Sequence, residues 1–232
     1  MTATLPLVAV SHGTDSERGR AAVAGLVDSV RTFTHASVHE SFVDVQHPRV
    51  DRMLAQVPSD AIAVPLLLSP GFHVHSDLRI AARDAAHEVY VAAALGPDAK
   101  LVDVLERRLV RAGLRDGDTV VFGAAGSRER RALAACRRMA DLMAHRLRRP
   151  VAVGYVSAAS PTIQDAVAHA RTQHPCTRVI VANYHLAPGF FSDSLARVGA
   201  DVVSEPLVPD DGRPPREIVE LIIERYVNAH PA

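Results

Sequence analysis

Leu7-Val-Ala-Val-Ser-His-Gly-Thr14 decides the fold, because the chain says it twice. Thr119-Val-Val-Phe-Gly-Ala-Ala-Gly-Ser127 repeats the apolar run and the glycine turn, so that Gly13 matches Gly126 and His12 matches Ala125. Both segments read as a buried strand that breaks into a turn just ahead of an amphipathic stretch, which is the opening of a βαβ unit.

Working outward, Val64-Pro-Leu-Leu-Leu-Ser-Pro-Gly-Phe-His-Val-His-Ser-Asp-Leu78 is echoed by Val181-Ala-Asn-Tyr-His-Leu-Ala-Pro-Gly-Phe-Phe-Ser-Asp-Ser-Leu195. Here Pro70-Gly71-Phe72 matches Pro188-Gly189-Phe190, and His73 falls opposite Phe191. The spacing between copies is nearly constant: 113 residues for Gly13 and Gly126, 118 for Gly71 and Gly189, and 112 for Pro97 and Pro209. Two copies of such length are no solenoid; they read as two pseudo-equivalent lobes within 232 residues. A division into residues 1–115 and 116–232 is expected, with the linker at Arg115-Asp-Gly-Asp118. Histidines end two elements in the first copy and are missing at both places in the second. Duplication followed by loss of one site accounts for that asymmetry.

Strands are predicted over Leu5–Val10, Ser37–Val43, Ala61–Leu68 and Val89–Ala94, with helices over Ser16–Thr32, Pro48–Gln56, Asp77–His87 and Asp98–Ala112. The second half repeats the order. Its strands are Thr119–Gly123, Val151–Ser157, Arg178–Asn183 and Asp201–Glu205; its helices are Arg128–Leu147, Thr162–Thr172, Phe191–Val198 and Pro215–Asn228. Pro48 and Pro161 suit a first helical position, where a missing N–H costs nothing. The fold class is therefore α/β, with two pseudo-repeated lobes, each an open four-stranded parallel sheet flanked by helices. The final helix fits either lobe. Right-handed crossovers favour the strand order 2-1-3-4, which puts the topological switch between strands 1 and 3. His12 follows strand 1 and His73 follows strand 3, so both face the crevice where open α/β sheets bind ligands.

Composition narrows the partners. Formal charge is zero, which gives no electrostatic case for nucleic acid. The N-terminus lacks a basic leader, and no apolar run reaches a membrane span, so a cytoplasmic protein without membrane association is expected. Cys136 and Cys176 lack metal-ligand spacing and read as two reduced thiols.

Two neutral imidazoles, His12 and His73, can bind a borderline divalent cation such as Co²⁺ or Fe²⁺. Without a thiolate or carboxylate they make an open, weakly held site rather than a closed structural one. Such a site suits a metal that is handed on, and the same imidazoles can take up protons. Around them, Gly13 and Gly71 let a ligand approach the backbone, Phe72 offers an apolar wall, and His75 shares the face of His73 in an extended loop. His185 precedes the second Pro-Gly turn; it is a strand-end residue or an auxiliary crevice residue. Gly123-Ala-Ala-Gly126-Ser127 sits where a phosphate loop would, but lacks the GxGxxG pattern and the P-loop lysine.

His-Gly-Thr14 after the first strand and Pro70-Gly-Phe-His-Val74 with Asp77-Leu78 after the third, followed by Leu95-Gly-Pro-Asp98, resemble the sirohydrochlorin chelatase family. This is the class II chelatase group of CbiX- and SirB-type enzymes, in its long two-lobed form. The resemblance covers nearly the whole chain. It departs at Arg79, where many relatives have proline, and at Ala125 and Phe191, which imply one active site rather than two. It implies insertion of Co²⁺ or Fe²⁺ into sirohydrochlorin, in sirohaem or cobalamin biosynthesis, by His12 and His73 acting as metal ligands and catalytic bases. The metal is then a substrate, with no tightly bound cofactor. An interlobe cleft walled by Phe72, Phe190 and Phe191 suits a flat macrocycle, and Arg79 and Arg128 are nominated for its carboxylates. A fused chain of this kind is expected to be monomeric. The competing readings are a non-catalytic metal or tetrapyrrole carrier, and a nucleotide-binding regulator resting on Gly123–Ser127 alone.

Overall fold

A computed structural model describes residues 4–71, 77–209 and 213–231. In the first half, β1 (Leu7–Ser11), β2 (Val38–Phe42), β3 (Ala61–Pro65) and β4 (Val89–Val91) alternate with α1 (Glu17–Phe33), α2 (Val50–Gln56), α3 (Arg79–Arg83) and α4 (Ala99–Arg111). The second half holds β5 (Thr119–Ala124), α5 (Arg130–Leu147), β6 (Val151–Tyr155), α6 (Ile163–Gln173), β7 (Val179–Tyr184), α7 (Phe190–Ser194), β8 (Val202–Val203) and α8 (Arg216–Asn228). The sheets run β2-β1-β3-β4 and β6-β5-β7-β8, all parallel, in the predicted order. The register carries the repeat into space: Leu7 pairs with Ile62 as Val120 pairs with Ile180.

The central strands are largely apolar because they are covered on both faces. β1, β3 and β7 are buried along their full length. The helices bury one stripe each. On α1 it is Ala22, Val23, Leu26, Val27 and Val30, and the Ser16 hydroxyl caps the start by accepting from the Gly19 N–H at 3.2 Å. Asp98 caps α4 in the same way, accepting from the Lys100 N–H at 2.9 Å.

Several predicted boundaries move. β3 stops at Pro65, and the helix expected over 77–87 shortens to Arg79–Arg83. The helix expected from Phe191 to Val198 is α7 followed by a tight turn at Leu195–Arg197. α5 begins at Arg130, two residues after Arg128. Pro48 does not open α2, which starts at Val50. Its carbonyl instead accepts from the Phe42 N–H at 3.0 Å and lengthens the end of β2; Pro161 does the same for Tyr155 at 3.1 Å. His47-Pro48 and Ser160-Pro161 are both cis. The prolines serve the sheet rather than the helix, and the repeat extends to that detail.

Contacts divide the chain into one compact unit of residues 1–95 with 210–232 and another of residues 96–209, a different cut from the linker at residue 115. The reason is where two helices bury their stripes. α4 belongs to the second unit: Leu101, Val102, Val104, Leu105 and Leu109 are buried, and Arg108 reaches Glu205 at 3.2 Å and the Leu207 carbonyl at 3.0 Å. α8 belongs to the first. There Tyr226 donates to the Leu5 carbonyl at 2.6 Å, and Arg225 donates to the carbonyls of Ala94 and Leu95 at 2.9 Å each. A helix stripe records that a face is buried and not which sheet buries it.

Candidate metal centre

In the first unit β1 lies between β2 and β3, and His12 is the first residue beyond its carboxyl end. It is exposed, with Nδ1 3.3 Å from the Gly13 carbonyl. Gly13 has φ 92°, and a Cβ there would overlap the Asp44 carbonyl oxygen. Only glycine lets the β1 turn press against the segment after β2. That segment is tied down in turn. The Asp44 N–H donates to the His12 carbonyl at 3.0 Å, and Gln46 Oε1 accepts from the Thr14 N–H at 2.9 Å. Val45 holds φ 62°, a conformation rare for a β-branched residue, with its N–H donating to Asp44 Oδ1 at 2.9 Å.

Asp44 is the residue that sequence reasoning missed. The sheet brings its carboxylate to the same end of the same sheet as His12, where Arg49 Nη1 stands 3.6 Å from Oδ1. Its only signal in the sequence is an acid just past strand 2 in a sheet whose order makes strands 2 and 1 neighbours. An imidazole with a nearby carboxylate is a better cation site than an imidazole alone.

β3 runs beside β1, and the Leu66 N–H donates to the Val10 carbonyl at 2.8 Å, so the chain leaves β3 next to the His12 turn. Gly71 is the last residue described there, its N–H donating to the Ser69 carbonyl at 2.8 Å. Phe72, His73 and His75 lie outside the described residues. Among the described residues no three His, Cys, Asp or Glu side chains form a metal-holding group.

The nominated arginines fall in separate places. Arg79 lines a cavity of about 780 Å³ along α3 and β4, with Asp60, Arg83, His87 and Glu88; His12 is not part of that lining. Arg128 is exposed in the lead-in to α5, beyond the carboxyl end of β5. Phe190 and Phe191, at the start of α7, are 78% and 39% exposed and meet edge to face at 5.4 Å.

The second unit repeats the first turn without its donors. Gly126 has φ 92°, and a Cβ there would overlap the Ser157 carbonyl oxygen. Ser157 donates through its N–H to the Ala125 carbonyl at 2.9 Å, as Asp44 does to His12. Ala158 has φ 56°, matching Val45. Alanine and serine thus stand where the first unit has histidine and aspartate. Gly123 lies within β5, and a Cβ there would press on Val181 and Leu195 at 3.0–3.2 Å. Close packing, rather than phosphate binding, explains that glycine. His185 is buried beyond β7, where desolvation pushes its pKa down to about 4. Both thiols are free; burial raises that of Cys136 to about 11, which makes it inert.

Solved structures share this architecture. Iron-bound SirB from Bacillus subtilis superposes with a TM-score of 0.80 at 15% identity, over 98% of this chain and 96% of that one. SirB from Bacillus subtilis subspecies spizizenii in complex with cobalt gives 0.77 at 16% identity, over 98% and 95%. CbiX, described as the terminal enzyme for siroheme biosynthesis in denitrifying bacteria, gives 0.64 at 18%, over 97% and 100%. No curated protein matches the sequence. The CbiX family model matches residues 6–112 and 119–204, both repeats in turn, and the chain therefore belongs to the CbiX family.

Proposed function

We propose that this chain is a sirohydrochlorin chelatase, a lyase by reaction class, which inserts Co²⁺ or Fe²⁺ into the metal-free ring. The observation that carries the reading is the paired turn: the first unit keeps His12 and Asp44 on the backbone frame where the second has Ala125 and Ser157. The frame is common to both and the donors are not, so the donors serve chemistry. Membership of the CbiX family and the metal-bound SirB relatives support it.

Insertion exchanges one M²⁺ for the two pyrrole N–H protons of the ring. The protein must hold the metal loosely, accept protons and let four ring nitrogens displace its own ligands. His12 and His73 are the metal ligands and proton acceptors in this reading. Exposed His12 exchanges ligands readily, and Asp44 adds the negative charge that draws a hydrated cation to the turn. Gly13 and Gly71 keep the backbone open to the ring, Phe72, Phe190 and Phe191 supply apolar faces, and His75, Arg79 and Arg128 serve its carboxylates. The metal is substrate, and no resident cofactor takes part. Residues 1–115 hold the metal site and residues 116–232 are the degenerate copy. We place the enzyme in the cytoplasm as a monomer without nucleic-acid partners. No helix among the described residues is long and apolar enough to cross a membrane.

The test is optical: follow metal insertion with Co²⁺ and Fe²⁺ side by side for the natural chain, His12→Ala and His73→Ala. Each variant is expected to lose at least about a hundredfold in turnover, the scale of a general base or ligand. Turnover at the natural rate in both variants overturns the assignment. Stoichiometric binding without turnover in the natural chain selects a carrier instead.

A further inference from the structure

α2 and α6 begin on the same backbone and differ in the side chain that precedes them. Arg49 stands before α2 at φ −67° and ψ 152°, and Thr162 before α6 at −65° and 157°. Each bridges back to the end of the preceding strand, Arg49 to Phe42 and Thr162 to Tyr155. Thr162 caps its helix, because its Oγ1 accepts from the Asp165 N–H at 3.1 Å. Arg49 makes no such side-chain cap. Its guanidinium turns back across the loop instead, and Nη1 stands 3.6 Å from Asp44 Oδ1. The same oxygen accepts from the Val45 N–H at 2.9 Å, which fixes the carboxylate on the side of the arginine.

The two copies differ here as a pair. Asp44 and Arg49 stand where the second unit has Ser157 and Thr162, each 113 residues further on. Acid and counter-cation are present together beside His12 and absent together beside Ala125. Helix stability does not explain the arginine, since threonine on that backbone would cap α2. Fold stability does not explain the pair, since its side chains are 47% and 58% exposed and such pairs add little. The pair does change the charge that a cation meets at the turn. Asp44 alone presents one negative charge, and Asp44 with Arg49 presents nearly none.

We propose that Arg49 is a positioning residue for metal hand-off, holding the Asp44 carboxylate in the empty turn and taking it back as the divalent cation leaves for the ring. The proposal rests on the chelatase reading and deepens it. A substrate metal has to be bound and then surrendered. Asp44 draws the cation in, and an unopposed carboxylate would also keep it. Arg49 weakens that hold by like-charge repulsion across one carboxylate. No proton or electron moves in this step; only the cation that the carboxylate faces is exchanged.

The experiment measures Co²⁺ affinity of the full chain without the ring, by competition with a chromophoric chelator, and then insertion into sirohydrochlorin at varied Co²⁺. Arg49→Thr carries the capping residue of the second unit, so it removes the charge and keeps the helix start. It is expected to bind Co²⁺ roughly three- to tenfold more tightly, the scale of one partly screened charge. Its kcat and its KM for Co²⁺ should fall together by a like factor, whereas a loosened loop would raise KM. Arg49→Lys keeps the charge and should stay within about twofold of the natural chain. On an Asp44→Asn background, Arg49→Thr should change Co²⁺ affinity by less than about twofold. Unchanged or weaker Co²⁺ binding in Arg49→Thr overturns the proposal. Equal tightening on the Asp44→Asn background overturns it too, because the arginine then repels the cation without acting through Asp44. A raised KM for the ring at natural Co²⁺ affinity assigns Arg49 to a substrate carboxylate and likewise overturns it. The two readings fail separately. A chain whose Co²⁺ affinities follow this pattern but which never inserts metal overturns the chelatase function. One whose Arg49→Thr variant inserts metal at natural kcat and KM overturns the hand-off role alone.

Discussion

The turn at His12-Gly13 and the turn at Ala125-Gly126 share one backbone and differ in chemistry. Each has a glycine at φ 92° against a neighbouring carbonyl, a non-glycine residue near φ 60° in the adjoining segment, and a cis X-Pro bond after it. Loss of the donors did not relax the frame. The glycine and the strained residue therefore belong to the fold, and His12 and Asp44 are what the first turn has and the second lacks. An invariant-looking glycine turn says where a site would sit in this architecture and not whether one is there.

The largest effect should come from cutting the chain where the repeat ends. Residues 1–115 lack α8, whose Ile218, Val219, Leu221, Ile222 and Tyr226 are buried in the first unit. Each such side chain contributes roughly 1.5–3 kcal/mol on burial. Together they match a domain's whole net stability of about 5–15 kcal/mol. The 1–115 fragment should be unfolded by circular dichroism, whereas residues 1–95 joined by a short linker to 210–232 should show cooperative melting. A cooperative transition in the shorter fragment would refute the unit division.

Next in size is the pair Gly13→Ala and Gly126→Ala. Both put a Cβ onto a carbonyl oxygen at a left-handed φ, so both should cost about 2–4 kcal/mol in urea denaturation. The comparison sharpens in the second readout. Only Gly13→Ala should also lose Co²⁺ binding, measured by titration at a temperature where both variants are folded. If Gly126→Ala is as stable as the natural chain, the second frame is a relic without structural duty.

The sheet order was legible because the strands are apolar runs of the right length and crossover handedness leaves few windings. The His12 end was legible for the same reason. Asp44 was not, since an acid after a strand carries no signal until the neighbouring strand is known. Pro48 was misread, because a proline before a helix satisfies two local rules and only the Phe42 N–H decides between them. The homes of α4 and α8 were hidden because amphipathic stripes are silent about partners. His185 was read as a strand-end residue or an auxiliary one, and the sequence held no hint of its network with Asn183 and Ser192. Asn183 is two residues away, and Ser192 joins through Asn183 only once α7 has packed beside β7.

The smallest effect at neutral pH, and the one that separates the two units most finely, is the acid response of that network. The folded pKa of His185 is about 4 against 6.5 for a free imidazole. Below pH 6.5 the unfolded chain therefore binds a proton that the folded chain refuses, and stability falls until the pH reaches about 4. Above 6.5 both states are neutral and the residue contributes no pH dependence. The integrated loss at pH 4 is up to about 3 kcal/mol. His185→Leu should accordingly melt close to the natural chain at pH 7.5 and clearly above it at pH 4.5, with hydrogen exchange protection gained along β7 and β8. The first unit has no such term: Leu67 stands at the corresponding place, its carbonyl accepting from the Leu95 N–H as that of His185 accepts from the Leu207 N–H. It should lose protection on acidification only through its other groups. A His185→Leu variant with the natural chain's full acid sensitivity would show that the imidazole is hydrated in the folded state, and that burial is not what holds it neutral.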